Sequence, residues 1–221
     1  MSRRSTALAA SVAALLTAAL PAVASPMPEG QIMTVRGPIR PAEWGRVLPH
    51  EHIAGAFVPR AMVTHQYVLE DVVASKLPQL LALKERGFTG LVETTPADLS
   101  RAPDVLLAIA ERADMHVVTV TGNYGAFGGA FTAPEVLAGT ADDAAALWIA
   151  EFENGIDGTD IRPGLIKISV DEGPLSEQGL KLVQAAARAH LATGMPIGLP
   201  SPTTGHSSSL ATSRSSSASL A

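Results

Sequence analysis

Val47-Leu48-Pro49-His50-Glu51-His52-Ile53 reads as a short buried strand that ends in two histidines one residue apart. Side chains at i and i+2 of a strand share a face, so His50 and His52 can converge on one point while Glu51 faces the other way. Each imidazole carries a donor and an acceptor that need partners, which makes the pair poor core filler. Two readings stand on this spacing. One is a half-exposed strand end with two unrelated histidines. The other is a pair of ligands for a divalent metal whose further oxygen or nitrogen donors arrive from elsewhere in the fold.

Working outward from this strand, the chain alternates helical and extended patterns. Residues 68–86 carry apolar side chains at helical spacing, with Pro78 expected to kink or restart the helix and Gly87 to cap it. Residues 89–94 predict a buried strand ended by Pro96, and 102–112 a helix with Asp104 in its first turn. A third strand is expected over 116–121, where Gly122-Asn123 turns the chain, and a fourth over 165–170. Between them lie a short helix from 134 and a longer one over 142–154. A helix over 176–193 opens on Ser176 as N-cap and closes on Gly194, and a fifth strand starts at 196. Ahead of the first strand, residues 25–44 are rich in Pro and Gly and predict an irregular or hairpin entry.

The result is four βα units and the start of a fifth. Short apolar strands covered on both faces belong to parallel sheets, so the choice is an open doubly wound sheet or a closed (β/α)8 TIM barrel. No glycine-rich fingerprint follows the first strand; His-Glu-His stands there instead. That favours the α/β barrel, whose active site collects at the C-terminal ends of its strands.

The chain has 221 residues, 47% of them apolar, enough for one sizeable core. It has no cysteine, so disulfides and thiolate metal sites are excluded, and a metal must use histidine, carboxylate or a modified side chain. The first 24 residues resemble an export signal: Arg3 and Arg4, an apolar run, then Ala22-Val23-Ala24 as a small-residue cleavage site. Ser2-Arg3-Arg4 also hints at the twin-arginine route. Periplasmic or secreted localisation follows, with no membrane contact after cleavage. The full chain has a net charge of −5; without Arg3 and Arg4 it has 14 basic and 21 acidic residues, a net −7 that argues against nucleic acid as partner. The domain itself is expected over 25–199, and the Ser/Thr-rich stretch 200–221 reads as a disordered tail.

Lys167, set between Ile166 and Ile168 in the fourth strand, is the second informative residue. It is either a lysine snorkelling from a strand end or a buried amine. Burial lowers a lysine pKa, and the free amine can react with carbon dioxide to give an anionic carbamate able to bridge two metal ions.

With these residues in hand, the chain resembles the phosphotriesterase family of the amidohydrolase superfamily. The similar segments are 48–53, Gly90-Leu91-Val92-Glu93-Thr94-Thr95-Pro96, residues 117–124 ending Thr-Gly-Asn-Tyr, Leu165-Ile166-Lys167, and 185–197. The resemblance implies a metal-dependent hydrolase of phosphotriester, lactone or carboxylic ester bonds, with two zinc ions and a bridging hydroxide as attacking group. His50 and His52 would bind the more buried ion, and Lys167, carbamylated, would bridge both. Tyr124 matches a tyrosine that lines the pocket of lactone-hydrolysing relatives; an aromatic plug under a loop is the other reading of that residue.

The family also draws ligands from strands five, six and eight. Here the strand-five slot falls at Pro200, and His206 lies in the Ser/Thr-rich stretch. The expectation is therefore a barrel represented by about its first four to five βα units, from a frameshifted or truncated gene, with an open edge that a homodimer could partly cover. Such a chain should hold less than one tightly bound zinc and hydrolyse activated esters barely above free metal. An exported, non-catalytic remnant with a partial metal site is the alternative. His65, His116 and His190 read as solvated or remote from the site, and Asp171 and Glu172 as a loop beside it.

Overall fold

The structure, a computed structural model, describes residues 30–55 and 68–200. Residues 1–24, read as an export signal, together with His65 and the Ser/Thr-rich stretch from 201 onward, lie outside the described residues.

The entry segment is an antiparallel hairpin of β1 (Ile32–Thr34) and β2 (Gly37–Ile39), turned by Gly37 at φ 99°. A short helix α1 (Pro41–Trp44) leads to β3 (Val47–Glu51). Then α2 (Leu69–Glu85), β4 (Gly90–Glu93), α3 (Pro103–Ala113) and β5 (His116–Val118) follow in order. After Thr119 come β6 (Val120–Thr121), α4 (Pro134–Ala138), α5 (Ala141–Asn154), β7 (Leu165–Lys167), α6 (Glu177–Thr193) and β8 (Ile197–Gly198).

Two parallel three-stranded ladders, β3-β4-β5 and β6-β7-β8, meet at Thr119. Because β5 and β6 are one run broken at that single residue, the order is five parallel positions following the chain without reversal. Pairing climbs along the run, with Val118 opposite Val92 and Val120 opposite Leu165, the stagger that tilts strands in a barrel. An open doubly wound sheet reverses its order and carries helices on both faces. Here Leu91 and Val117 pack under α2 and α3, and Ile166 and Ile168 pack under α5 and α6. Thr121, on the same face of its strand as Val117, donates to Glu151 of α5. Helices α2, α3, α5 and α6 thus cover one face, and the arrangement is the first part of a (β/α)8 barrel.

Local chemistry explains the helix ends. Thr140 and Asp143 form a reciprocal capping box on α5, and Ser176 Oγ accepts the Gly179 N–H at 3.1 Å as the N-cap of α6. Gly194, at φ 76°, ends α6 as the sequence predicts.

One expectation is narrowed and one is corrected. Helix α2 runs through Pro78 without restarting. The missing N–H orphans the carbonyl of Ala74, a residue on the exposed side of the helix. Strand β3 is half exposed rather than buried, because among the described residues it pairs with β4 alone.

Candidate metal centre

The direction in which the histidines point depends on a β-bulge. Leu48 pairs with Leu91, but Glu51 pairs with Glu93, so β3 spends three residues where β4 spends two. The extra residue falls at Pro49-His50, and a proline is tolerated there because a bulge frees an N–H from the ladder. Leu48 packs against the helix-side core beneath α2 and α3. Strict alternation from Leu48 would send His50 to that same side. The bulge resets the phase, so Leu48 and Glu51 share the helix side while His50 and His52 face the barrel interior. Their rings lie edge to face with centroids 5.3 Å apart.

Lys167 reaches the same place from β7. Ile166 is committed to the helix side, so alternation turns Lys167 inward, where it is 4% exposed. Gly122, at φ 106°, lets the end of β6 press against the backbone of Lys167; a Cβ there would lie 2.7 Å from the Lys167 carbonyl carbon. Burial lowers the Lys167 pKa to about 8, against the opposing charge of Glu93. Burial, then the charges of His50 and Lys167, lowers His52 to about 4; burial and Lys167 also lower His50. The three groups therefore share one electrostatic neighbourhood, and near neutral pH both imidazoles keep a lone pair for a ligand.

A carboxylate that sequence reasoning did not single out stands behind His52, one hydroxyl away through Thr95. Glu93, at the end of β4, is 1% exposed. It accepts the Thr95 hydroxyl at 2.5 Å and the N–H groups of Ile53 and Thr95, each at 3.2 Å. Burial lifts its pKa to about 7, although these hydrogen bonds and the Arg101 charge pull it back. The only hint in the sequence was its place in the family-like segment 90–96, where an acidic residue interrupts an apolar run.

Behind the cluster, the fully buried side chain of Arg101 forks to Glu151 at 2.6 Å and Asp157 at 2.8 Å, and it donates to the Val120 carbonyl at 2.7 Å. Burial opposes its charge, but the hydrogen bonds to Asp157 and Glu151 more than offset this and hold its pKa above the ordinary value.

Tyr124 follows β6 and bridges in parallel to Ser169, two residues beyond Lys167. Its ring stacks on Phe127 and meets Phe131 edge-on, so it belongs to an aromatic cluster within its own loop. Burial, then the Asp171 charge, raises its pKa. Asp98 closes the loop base, accepting from Asn123 Nδ2 at 2.6 Å, the Tyr124 N–H at 3.3 Å and the Ala133 N–H at 3.2 Å. Asn123 in turn accepts the indole N–H of buried Trp148. Asp171 holds the loop tip through the N–H groups of Phe127 and Gly128. The residue read as part of a solvated loop is thus a tether between the loops after strands three and four.

The sequence-predicted donors His50, His52 and Lys167 are brought together, and Tyr124 stands at a neighbouring strand end. His116 begins β5 beside Trp44, and His190 bonds the Met195 carbonyl, both away from the cluster. A cleft of about 330 Å³ between the β1–β2 hairpin and residues 160–162 lies toward the opposite strand ends. Two neutral imidazoles and a convertible amine suit one divalent ion. Among the described residues no group of three His, Cys, Asp or Glu gathers, so that ion needs Lys167, and a second ion finds no donor set of its own.

A parallel α/β barrel with its polar cluster at the C-terminal strand ends is the class that fold and site define. Residues 30–213 match the model of the Phosphotriesterase family, and the chain belongs to that family. It is 29% identical over 187 residues to a phosphotriesterase homology protein of Mycobacterium tuberculosis, covering 77% of this chain and 54% of that one. It is 28% identical over 196 residues to the N-acetyltaurine hydrolase of Rattus norvegicus, covering 76% and 55%. Among solved structures it resembles the organophosphorus hydrolase from Deinococcus radiodurans, with TM-score 0.70 and 27% identity over 77% of this chain and 53% of that one. The chain spans about half the length of the curated relatives it matches.

Proposed function

We propose that the chain is a metal-dependent hydrolase of ester bonds in small molecules (phosphotriester, lactone or carboxylic ester), working at the strand ends that carry His50, His52 and Lys167. The convergence of these three side chains on the inner face of the barrel carries the reading. His50 and His52 would hold the ion, and Lys167 would complete its donor set as a carbamate. In that step the free amine forms an N–C bond to carbon dioxide, one C=O π pair moves onto oxygen, and a proton leaves the nitrogen. A bound divalent ion, zinc by analogy with the family, would polarise the substrate oxygen and lower the pKa of water. Tyr124 and its aromatic neighbours would form an apolar wall for the substrate, held in place by Asp98 and Asp171.

Relatives named for organophosphorus and N-acetyl hydrolysis support water attack at a phosphoryl or acyl centre as the shared chemistry. One observation favours a second, non-catalytic reading: among the described residues no three His, Cys, Asp or Glu gather into a metal site. Zinc-loaded protein should therefore be assayed on an aryl phosphotriester, a lactone, an aryl ester and an N-acyl amide. The expected result is slow hydrolysis of an ester substrate above free zinc, lost in His52→Asn and Lys167→Ala. Turnover no faster than free zinc would favour the non-catalytic reading. Export of a chain beginning near Ser25 and homodimerisation belong to the same proposal, to be checked by N-terminal sequencing and analytical ultracentrifugation.

A further inference from the structure

The hydroxyl of Thr95 stands between two groups that both need it. On one side it lies 2.5 Å from Glu93 Oε1, and on the other 2.8 Å from His52 Nδ1. Thr95 and Glu93 are almost fully buried, so water cannot rearrange this contact. Glu93 is also fixed as an acceptor by the N–H groups of Ile53 and Thr95. A hydroxyl has one proton to give, and a carboxylate has none. With Glu93 ionised, the Thr95 proton therefore goes to it, and a lone pair of Oγ1 is left facing His52 Nδ1. That lone pair is satisfied only if Nδ1 carries the ring proton. The neutral imidazole has a single ring proton, so Nε2 is left bare. Thr94 Oγ1 lies 3.5 Å from Nε2 and 3.4 Å from the Glu51 carbonyl, so its one proton is contested between the two and the assignment rests on Thr95.

We infer that Glu93 is a positioning residue that acts through the Thr95 hydroxyl to hold His52 in its Nδ1–H tautomer, leaving Nε2 as the ligating atom. Metal-binding histidines are commonly oriented in this way by a carboxylate or carbonyl at the other ring nitrogen. Here the carboxylate is one residue further back, and a threonine relays its preference. The backbone is built for the relay: a Cβ on Gly55 would lie 3.1 Å from Thr95 Cγ2, so glycine lets the chain after β3 close over this side chain. The inference deepens the metal-site reading and rests on it for its consequence, but the tautomer belongs to the metal-free protein.

The test begins with metal-free protein carrying 15N-labelled histidine. Two-bond 1H–15N correlations separate the two tautomers, and His52→Asn identifies the signal. His52 should be predominantly Nδ1–H in the native chain. Thr95→Val should shift it toward Nε2–H, Thr95→Ser should restore it, and Glu93→Gln should give a mixed population. Zinc affinity, read by competition with a chromophoric chelator, should fall about 10- to 100-fold in Thr95→Val and recover in Thr95→Ser. A His52 found as Nε2–H in the native chain overturns the inference, even if the valine variant fails to fold. Zinc affinity unchanged by Thr95→Val overturns the positioning role. A native chain with the Nδ1–H tautomer but no zinc binding would refute the metal reading and leave the hydrogen-bond assignment standing.

Discussion

Gly122→Ala should disable the candidate metal centre through the backbone alone. Gly122 sits at φ 106°, where an L side chain is rarely found, and its new Cβ would lie 2.7 Å from the Lys167 carbonyl carbon and 3.0 Å from its nitrogen. The nearest clash is with the Lys167 carbonyl oxygen, and ordinary contact begins near 3.4 Å, so β6 and β7 must separate by about 1.4 Å or the turn must refold. The unfavourable dihedral costs about 1–3 kcal/mol. Loosening one or two ladder hydrogen bonds between β6 and β7 adds about 1 kcal/mol each. The total, about 2–5 kcal/mol, corresponds to a melting temperature lowered by about 10 °C in a domain of this size. Because the displaced atoms belong to Lys167, zinc affinity should fall as well, by about tenfold for each 1.4 kcal/mol of misalignment. Gly158→Ala is the control: φ is 78° there, but nothing lies within 4 Å, so only the dihedral cost of about 1 kcal/mol is expected. The assays are a thermal melt and a chelator competition on the same samples. If Gly122→Ala matches Gly158→Ala in both, the close approach of β6 to Lys167 does not position the lysine.

Three further outcomes are expected. Lys167 has a folded-state pKa of about 8 against 10.5 for the free side chain, so the fold disfavours its cation; the penalty is full below pH 8 and fades as pH rises to 10.5. Lys167→Met should therefore stabilise metal-free protein at pH 7 by up to about 3 kcal/mol and by much less near pH 10.5, and equal gains in urea titrations at both pH values would refute the burial argument. Arg101→Met should destabilise by about 3–5 kcal/mol, because it strands Glu151 beside a buried strand, and a urea-derived loss below about 1 kcal/mol would show the network to be dispensable. Asp98→Ala removes the acceptor that closes residues 123–133, so chymotrypsin cleavage after Phe127 or Phe131 should accelerate about tenfold, and an unchanged rate would mean that Asp171, Ser169 and Thr132 hold the loop without it.

Much of the fold is legible because the signals are local. Ser176 and Gly194 bound α6 where cap chemistry says they should, and Pro96 stops the second strand as expected. Pro78 does not restart the helix, and the sequence could not say so, because the cost of a missing N–H depends on whether the orphaned carbonyl sits on the exposed side. The exposure of β3 was hidden for a related reason: its apolar run describes the face against β4 and α2, not the other edge. Among the site residues, His50, His52 and Lys167 were readable from chemical incongruity, polar groups set in apolar strands. Glu93 was equally incongruous but went unused, because its partners Thr95 and Ile53 only become neighbours once β3 and β4 pair. Asp98 and Asp171 gave no local signal, since their work is done on backbone N–H groups of a loop more than 20 residues away.

The bulge at Pro49-His50 shows how a correct reading can rest on an incomplete reason. Period-two spacing correctly places His50 and His52 on one face, yet it cannot say which face. Counting from Leu48, a regular strand would have sent both rings under α2 and α3, into a core of Leu91, Val105 and Ile109 with no partner for four ring nitrogens. One inserted residue moves them to the interior, beside the inward-facing Lys167. A shift of one residue inverts every side chain beyond it, so the site tolerates no slippage at this point. Pro49 helps to fix the slip, because it withholds the N–H that a regular ladder would claim there. The same step brings Glu51 opposite Glu93 and leaves the Ile53 N–H within reach of the Glu93 carboxylate. The element that aims the candidate ligands therefore also seats the carboxylate that orients one of them, and both depend on a backbone irregularity rather than on any side chain of the site.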